Sequence, residues 1–286
     1  MPTSSPSRAV IVTGCSTGIG RATAEHLAAA GWTVYATARK LESIADLEGK
    51  GCRTLALDVN DEASMQAAVS AVEAAEGAVG VLINNAGYSQ YGAIETVAMD
   101  AVRAQFETNV FGLVRMCQLV LPGMRRQGWG KIVNLSSMGG RFTFPGGGYY
   151  HATKHAVEAL SDALRFEVRG FGVDVVIVEP GLIRTEFSGT GASGIEAEAG
   201  DGPYNAFNAD VGRSLTAAYE KGPLAKLGGP PEAVAEVIAK ALGASRPRAR
   251  YTVTPSARVL LTQRKLMPDR AWDAVMRSQF KTPGKE

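Results

Sequence analysis

The fold of this chain is decided by the stretch that joins its first apolar strand to its first helix, Thr13-Gly14-Cys15-Ser16-Thr17-Gly18-Ile19-Gly20. Glycines let a backbone turn sharply and approach a bound molecule closely, and the N-terminus of the following helix offers free N–H groups to a pyrophosphate. The spacing is Gly-x-x-x-Gly-x-Gly, and Arg21 and Ala22 stand where a P-loop needs Lys and Ser or Thr. The stretch therefore predicts a dinucleotide phosphate loop, with a plain tight turn into a helix as the alternative.

Apolar, β-branched runs alternate with alanine-rich stretches up to Pro180. The runs predicted to be strands are Ala9–Thr13, Thr33–Thr37, Arg53–Leu57, Val81–Asn84, Lys131–Leu135 and Val173–Val178. The stretches predicted to be helices are Ile19–Ala30, Asp61–Glu76, Met99–Arg126 and Gly148–Arg169. Short continuous apolar strands suit a parallel sheet buried on both faces. We therefore expect an α/β Rossmann fold, a doubly wound parallel sheet of about seven strands flanked by helices.

The character of the sequence changes after Pro180. Ser188–Gly202 is rich in Gly, Ala, Ser and Thr and is predicted to be a mobile loop. Pro231–Leu242 is predicted to be an amphipathic helix that begins with proline, which is favoured in the first turn. Tyr251–Thr254 is a candidate last strand, and the tail beyond it is predicted to be helical.

The composition, 45% hydrophobic and 20% charged in 286 residues, is typical of a soluble globular protein. We expect one domain, residues 1–286, in which 8–187 form the cofactor-binding and catalytic core and 188–286 form a substrate loop and C-terminal cap. The net charge of +2 argues against a nucleic-acid binder that works by neutralising phosphates.

The cysteines and the apolar runs indicate the compartment. Cys15, Cys52 and Cys117 are scattered and show no disulfide framework or metal-ligand spacing, so we expect no bound metal. A reducing cytoplasm suits free thiols. No stretch is long and apolar enough for a signal-peptide core or a membrane span, so the sequence predicts a cytoplasmic protein.

A possible proton-transfer site lies in the run Gly-Tyr-Tyr-His-Ala-Thr-Lys-His, where Tyr150 and Lys154 share one helix face. A free tyrosine titrates near ~10, and a cation within ~4–6 Å can lower a pKa by roughly 1–3 units. Lys154 is therefore expected to make Tyr150 a usable acid or base near neutral pH, and Ser137 could hold the reacting oxygen. Taken alone, the spacing more often means a half-buried tyrosine beside a surface lysine.

Polar turn residues follow two further strands. Asn84-Asn85-Ala86-Gly87 ends the fourth strand, at the edge where ligands bind in open α/β sheets. Asp58 ends the third strand and could hold an adenine. Both could also be plain turn residues, since Asn, Asp and Gly are favoured in turns.

Together these elements resemble the short-chain dehydrogenase/reductase family. The chain carries that family's motifs in its order and spacing: Thr-Gly-x-x-x-Gly-x-Gly at 13–20, Asn-Asn-Ala-Gly at 84–87, Asn109, Ser137, Tyr150-x-x-x-Lys154, and Pro180-Gly181 with Thr185. The resemblance covers residues 8–187 firmly and the tail less so. It implies an oxidoreductase that moves a hydride between a nicotinamide and an alcohol or carbonyl group.

The resemblance also implies a role for each matching residue. Tyr150 would be the general acid/base, Lys154 would lower its pKa and bind the nicotinamide ribose, and Ser137 would orient the substrate oxygen. Asn109 would hold a water that links Lys154 to solvent. The cofactor-binding positions would be Gly14, Ser16, Thr17, Gly18, Ile19, Gly20, Arg39, Asp58, Val59, Asn85, Ala86, Gly87, Pro180, Gly181, Ile183 and Thr185, together with Tyr150 and Lys154.

The end of the second strand bears on the choice of cofactor. A carboxylate there binds the adenosine ribose and repels a 2′-phosphate. Ala38 stands where NAD-preferring relatives carry Asp, and Arg39 follows with a guanidinium suited to a bidentate phosphate contact. We expect NADP(H) to be preferred and NAD(H) to be possible; an exposed Arg-Lys pair at a turn is the alternative.

The sequence near Tyr150 and after Pro180 is most similar to the branch with 17β-hydroxysteroid and retinol dehydrogenases, which implies a lipophilic alcohol, aldehyde or ketone as substrate. The side chains predicted to line its pocket are Met138, Phe142, Phe144, Tyr149, Phe187 and Tyr204, although such residues also form ordinary cores. Two other functions stay open, an acyl-thioester (3-oxoacyl) reductase and a dinucleotide-binding sensor without catalysis.

Further expectations concern the surroundings of the site. His151 is expected to pack or to face solvent, and Cys15 to be a small filler. Residues 246–270 hold seven Arg or Lys and one Asp, which predicts a solvated amphipathic helix in preference to a membrane-surface contact. The resemblance implies a homodimer or homotetramer formed through the long helices near 99–126 and 148–169.

Overall fold

The centre of the fold is a seven-stranded parallel sheet, seen in a computed structural model that describes residues 5–186, 202–220 and 224–284. Its strands are β1 (Val10–Val12), β2 (Val34–Ala38), β3 (Arg53–Ala56), β4 (Val81–Asn84), β5 (Gly130–Leu135), β6 (Val173–Pro180) and β7 (Arg250–Val253). They lie in the order β3-β2-β1-β4-β5-β6-β7, and each neighbouring pair is parallel. The order reverses between β1 and β4, which creates the switch point where ligands bind in such sheets. The predicted fold class is confirmed.

Helices cover the sheet. They are α1 (Gly18–Ala29), α2 (Glu62–Glu76), α3 (Met99–Phe106), α4 (Leu113–Gln127), α5 (Gly148–Val168), α6 (Asn205–Glu220), α7 (Pro231–Gly243), α8 (Pro255–Leu266) and α9 (Asp269–Gln279). Short 3-10 turns cover Leu41–Ser43, Ala45–Lys50, Met138–Gly140, Arg169–Phe171 and Ala225–Leu227. Within the described part of the chain, no helix is long and apolar enough to cross a bilayer.

Both faces of the sheet are buried, which explains why its strands are continuously apolar. On one face α1 and α7 pack against the strands and bury Leu27 and Ile238 completely. On the other face α2 and α4 pack against the strands and bury Val69 and Met116. Burying one such side chain contributes about 1.5–3 kcal/mol relative to exposing it. The apolar runs therefore determine the layered architecture.

Two segments differ from the sequence prediction. The helix predicted over Met99–Arg126 is interrupted between α3 and α4 by a π-helical segment, Glu107–Gly112. A Cβ at Gly112 would clash with the carbonyl oxygen of Val59, so this glycine lets the helix approach the loop after β3. Helix α6 was not predicted at all. The predicted loop Ser188–Gly202 lies outside the described residues except for Gly202.

Candidate active site

The phosphate loop between β1 and α1 is shaped by glycines for which no other residue fits. Gly14 has φ +72°, and a Cβ there would lie 3.0 Å from the Cα of Ala86. A Cβ at Gly20 would clash with the carbonyl oxygen of Gly14 and with the Asn85 side chain. The N-cap residue of α1, Thr17, makes no side-chain cap, and the first turn holds no acidic residue. The first N–H groups of α1 are thus suited to an anion, as a dinucleotide pyrophosphate requires.

The loop after β4 is joined to the phosphate loop by hydrogen bonds. The Thr13 hydroxyl accepts from the backbone N–H groups of Asn85 and Ala86, both at 3.0 Å. The Asn85 amide donates to the carbonyl oxygens of Thr13 at 2.9 Å and Gly14 at 3.0 Å. The predicted motif at 84–87 therefore holds the two edges of the switch point together, and Ala86 and Gly87 line the resulting groove.

The far end of the groove is lined by Arg39, Asp58 and Val59. Arg39 is exposed and follows the buried Ala38. Burial raises the pKa of Tyr88, which also lines the groove, and the charge of Arg39 opposes this shift. Asp58 accepts a hydrogen bond from the backbone of Asn60 at 2.9 Å, as a turn residue does. Its two predicted roles, adenine contact and turn, are compatible.

The remaining predicted cofactor positions also lie along the groove. Ser16, Thr17, Gly18 and Ile19 line it on the side of α1, and Pro180, Gly181, Ile183 and Thr185 line it after β6. Gly20 is packed behind the loop, and Asn109 is buried beneath the groove at 1% exposure.

Ser137, Tyr150 and Lys154 meet at the centre of this groove. The Ser137 hydroxyl is hydrogen-bonded to the Tyr150 side chain and also accepts from the backbone N–H of Gly139 at 3.0 Å. The Lys154 ammonium lies 5.9 Å from the centre of the Tyr150 ring and donates to the carbonyl oxygen of Leu135 at 2.8 Å. Tyr150 and Lys154 are one turn apart on α5, so the helix holds both side chains on the same face.

The pKa values at this centre differ from the sequence expectation. Burial raises the pKa of Tyr150, and the Ser137 hydrogen bond opposes this shift. Burial lowers the pKa of Lys154 to about 8, against the charge of Glu158. At neutral pH Tyr150 is therefore a protonated phenol and Lys154 is mostly an ammonium ion.

Asn109 occupies the π-helical segment between α3 and α4. Its side-chain oxygen accepts from the backbone N–H of Tyr88 at 3.0 Å, and its amide donates to the Tyr88 carbonyl oxygen at 2.8 Å. The amide also contacts the Thr153 hydroxyl at 3.1 Å. Asn109 thus ties the loop after β4 to α5, which is a role that sequence reasoning missed; its link to Lys154 through a water stays a prediction. π-Helical segments of this kind are frequent at functional sites.

An apolar cavity opens from the groove and has, together with it, a volume of about 850 Å³. Met138, Phe142 and Phe144, three of the residues named as candidate substrate contacts, lie on its wall. Tyr149 and Tyr204 lie outside the lining, because their hydroxyls donate to Ile94 O at 3.0 Å and to Glu95 at 2.6 Å. Phe187 lies outside the described residues.

The rest of the cavity wall was missed by sequence reasoning. It comes from α6, α8, α9 and the residues that follow them, with Leu215, Tyr219, Leu260, Trp272, Met276 and Phe280 as its main side chains. Trp272 and Met276 are four residues apart on α9 and so share a face. The spacing of Trp272 and Met276 in the sequence predicts a shared apolar helix face, but it does not predict which segment that face packs against.

His151 and Cys15 behave as packing residues. His151 is 1% exposed, its Nδ1 lies 2.8 Å from the Gly139 carbonyl oxygen, and burial lowers its pKa to about 4. Its ring packs against Phe144 with centroids 4.4 Å apart. Burial raises the pKa of the Cys15 thiol to about 12, so it is unreactive. Across the described ranges, no group of three or more His, Cys, Asp or Glu side chains converges on a metal position.

Comparison with known proteins gives concordant results. Residues 8–194 match the family model described as short chain dehydrogenase. The "NADPH-dependent 3-dehydrocapnine reductase" of Ornithobacterium rhinotracheale is 38% identical over 286 residues, covering 96% of this chain and 98% of that protein. The "3-ketodihydrosphingosine reductase" of Bacteroides thetaiotaomicron is 42% identical over 180 residues, 63% of this chain and 65% of that one. A crystal structure of a short-chain dehydrogenase from Streptomyces avermitilis superposes with a TM-score of 0.78 at 35% identity, over 96% of this chain and 99% of that one.

Proposed function

The chain belongs to the short chain dehydrogenase family, and from that membership we propose that it is an NADP(H)-dependent reductase of a lipophilic ketone. It is an oxidoreductase that uses a nicotinamide dinucleotide. The observation that carries the finer proposal is the position of Ser137, Tyr150 and Lys154, at the junction of a dinucleotide groove with an apolar cavity.

Each of these three side chains has a distinct part in the proposed reaction. The nicotinamide, when bound, supplies the hydride. Ser137 donates its hydroxyl hydrogen to the substrate carbonyl and so holds the oxygen beside Tyr150. Tyr150 gives its phenolic proton to that oxygen as negative charge develops on it. Lys154 keeps a positive charge near the phenol, which favours the phenolate that remains after the transfer.

Reduction is the proposed direction. A general acid must be protonated before it acts, and burial raises the pKa of Tyr150, so the phenol keeps its proton at neutral pH. Oxidation would need the phenolate at the start of the reaction. The two relatives reported above from Ornithobacterium rhinotracheale and Bacteroides thetaiotaomicron are both named as reductases, which supports this direction.

NADP(H) is the proposed cofactor. Arg39 lies on the groove lining, and Ala38 supplies no carboxylate that would repel a 2′-phosphate. A guanidinium can make two parallel hydrogen bonds to a phosphate, which gives both energy and geometry. The 3-dehydrocapnine reductase that is 38% identical to this chain has NADPH in its name, which supports this choice.

The proposed substrate is a ketone on a long apolar chain. The cavity beyond Tyr150 is walled by Phe142, Leu215 and Met276, which suit an alkyl chain or an apolar ring system. Both named relatives act on compounds with an oxidised carbon at position 3. We favour such chains over the steroid and retinoid substrates suggested by the sequence, because the two relatives reported above are named for 3-dehydro and 3-keto substrates.

The test measures NADPH oxidation by the purified protein with 3-ketodihydrosphingosine, a long-chain methyl ketone, a small water-soluble ketone and a 3-oxoacyl thioester. Long-chain ketones are expected to have the highest kcat/KM. Tyr150→Phe should reduce turnover by about 10²–10⁴-fold, the usual contribution of a general acid, while NADPH binding persists. Tyr149→Phe is the matched control, since its hydroxyl bonds to Ile94 outside the cavity. Full activity of Tyr150→Phe, or preference for the thioester, contradicts the proposal.

We also propose that the protein forms a homo-oligomer through its long helices. Phe111, between α3 and α4, is 55% exposed, and Phe166 on α5 is 86% exposed. Large apolar side chains exposed on neighbouring helices are typical of protein interfaces. Sedimentation analysis should give a dimer or tetramer, and Phe166→Glu should lower the association state; a wild-type monomer contradicts this.

A further inference from the structure

A cluster of carboxylates lies behind Lys154 and has no part in the proposed chemistry. Glu158 is one turn beyond Lys154 on α5, and its side chain is 7% exposed. Glu179, the residue before Pro180 in β6, is 2% exposed. Asp162, a further turn along α5, is 43% exposed. A buried charge costs several kcal/mol unless it is well paired, so the position of Glu158 calls for a physical reason.

One guanidinium holds this cluster together. Arg250 Nε lies 2.9 Å from Glu158 Oε2 and 3.5 Å from Glu179 Oε1, and Arg250 Nη2 lies 2.6 Å from Asp162 Oδ2. Because Arg250 begins β7, this contact joins α5 to the edge of the sheet. The carboxylate of Glu158 is therefore held in one place relative to Lys154.

The other charges near Glu158 have partners of their own. Arg141 lies 3.2 Å from Glu179, and Arg165 lies 2.6 Å from Asp162. Arg250 is shared among three carboxylates. Five groups face Glu158. Lys154 and Asp162 lie on its own helix, Glu179 lies on β6, Arg250 lies on β7, and the Ser136 hydroxyl lies directly after β5. Among them, Lys154 is the cation that forms no salt bridge within the described residues.

We propose that Glu158 is a positioning residue that keeps the buried Lys154 in its ammonium form, and that Arg250 fixes Glu158 where it can act. The inference rests on the proposed function, in which Lys154 must carry a charge beside Tyr150. A neutral amine there would no longer favour the phenolate that forms when Tyr150 gives up its proton.

The shifts of the two groups agree with this geometry. Burial lowers the pKa of Lys154 to about 8, and Glu158 is the neighbour whose charge raises it. Burial and the charge of Glu179 raise the pKa of Glu158, while the Ser136 hydroxyl and Arg250 oppose this and favour its charged form. Because the pKa of Tyr150 is raised, Lys154 is the first of the two reacting groups to titrate as the pH increases. The loss of reductase activity at alkaline pH should therefore follow the deprotonation of Lys154.

The test is the pH profile of kcat/KM for NADPH-dependent ketone reduction by Glu158→Gln. The substitution removes the charge at nearly constant shape, and Arg250 keeps Asp162 and Glu179 as partners. The alkaline limb, which is the part of the profile where kcat/KM falls as the pH increases, should move to lower pH by about one unit or more, since a neighbouring charge shifts a pKa by ~1–3 units. Activity well below the limb should stay close to that of the wild-type protein.

Two variants separate charge from structure. Glu158→Asp keeps the carboxylate and should restore the wild-type limb even where kcat is lower. Asp162→Asn also removes a carboxylate that pairs with Arg250, but it leaves Glu158 in place beside Lys154. The alkaline limb of this variant should therefore not move. If circular dichroism shows that Glu158→Gln is unfolded, Glu158→Met removes the same charge without needing hydrogen bonds.

A uniform loss of activity with an unmoved limb overturns the proposal, as does an equal shift in Asp162→Asn. The outcome is separable from the proposed function. If the wild-type protein reduces no ketone, the proposed function fails; if it reduces ketones and the limb of Glu158→Gln stays in place, only the role of Glu158 fails.

Discussion

The two ends of the central cavity are built in different ways. At the phosphate-loop end, the Asn85 side-chain amide donates to the Gly14 carbonyl oxygen, and a Cβ at Gly14 would lie only 3.0 Å from the Cα of Ala86. At the opposite end, Leu215 from α6 and Trp272 and Met276 from α9 line one apolar wall. The first end depends on the path of the backbone, and the second depends on the volume of side chains. Cofactor binding should therefore be sensitive to single atoms, whereas substrate choice should change gradually.

The largest effect is expected from Gly20→Val. The added side chain would clash with the Gly14 carbonyl oxygen and Asn85, and overpacking of this kind costs about 1–3 kcal/mol. NADPH affinity should fall by up to about 100-fold, since each 1.4 kcal/mol is tenfold. Fluorescence titration with NADPH measures it. Gly49→Ala, at a position with open space around it, should bind normally; unchanged affinity in Gly20→Val means that the loop is not the cofactor site.

Arg39→Asp tests whether the phosphate-loop end also selects the cofactor. Replacing a cation with an anion removes a charged hydrogen bond worth about 1.5–3 kcal/mol and adds repulsion of the 2′-phosphate. The ratio of kcat/KM for NADPH to that for NADH should fall by about 10–100-fold. Lys40→Asp changes the neighbouring exposed cation and should have less effect. The assignment is wrong if the wild-type protein already uses NADH as well as NADPH.

Met276→Ala probes the opposite end of the cavity. It removes apolar surface from the wall, and each buried methylene contributes about 0.8 kcal/mol, so KM for a long-chain ketone should rise about tenfold. KM for a small ketone should hardly change, because such a substrate does not reach this wall. Met99→Ala, at a position that is 53% exposed, is the control. Equal effects on both substrates would place Met276 outside the chain-binding wall.

The smallest effect concerns the acid stability contributed by His151. Burial lowers its pKa to about 4 from an ordinary value near ~6.5, so the native state favours the neutral ring. The stability that the neutral His151 ring contributes is present above pH ~6.5 and is lost as the pH falls from there through about 4. His151→Asn should reduce the fall in Tm over this range, because the asparagine side chain takes up no proton there. Parallel Tm curves for the two proteins contradict this account.

The phosphate-loop end was largely predictable and the opposite end was not. Strands β1 to β6 and the turn residues at 13–20 and 84–87 follow local rules of periodicity and turn chemistry, which act over a few neighbouring residues. The π-helical segment around Asn109 was missed because its cause lies in distant groups, the Val59 carbonyl and the Tyr88 backbone. Tyr149 was predicted to line the pocket, but its helix turns the hydroxyl toward Ile94.

By itself, the sequence determined the alternating architecture, the phosphate loop and the spacing of Tyr150 and Lys154, because each depends on residues close together in the chain. Only the tertiary structure decided the chemistry of that pair. Burial raises the pKa of Tyr150 and lowers that of Lys154, and Glu158 opposes the second shift from a position set by Arg250. Desolvation and long-range charge depend on which distant segments surround a group, and no local pattern records that.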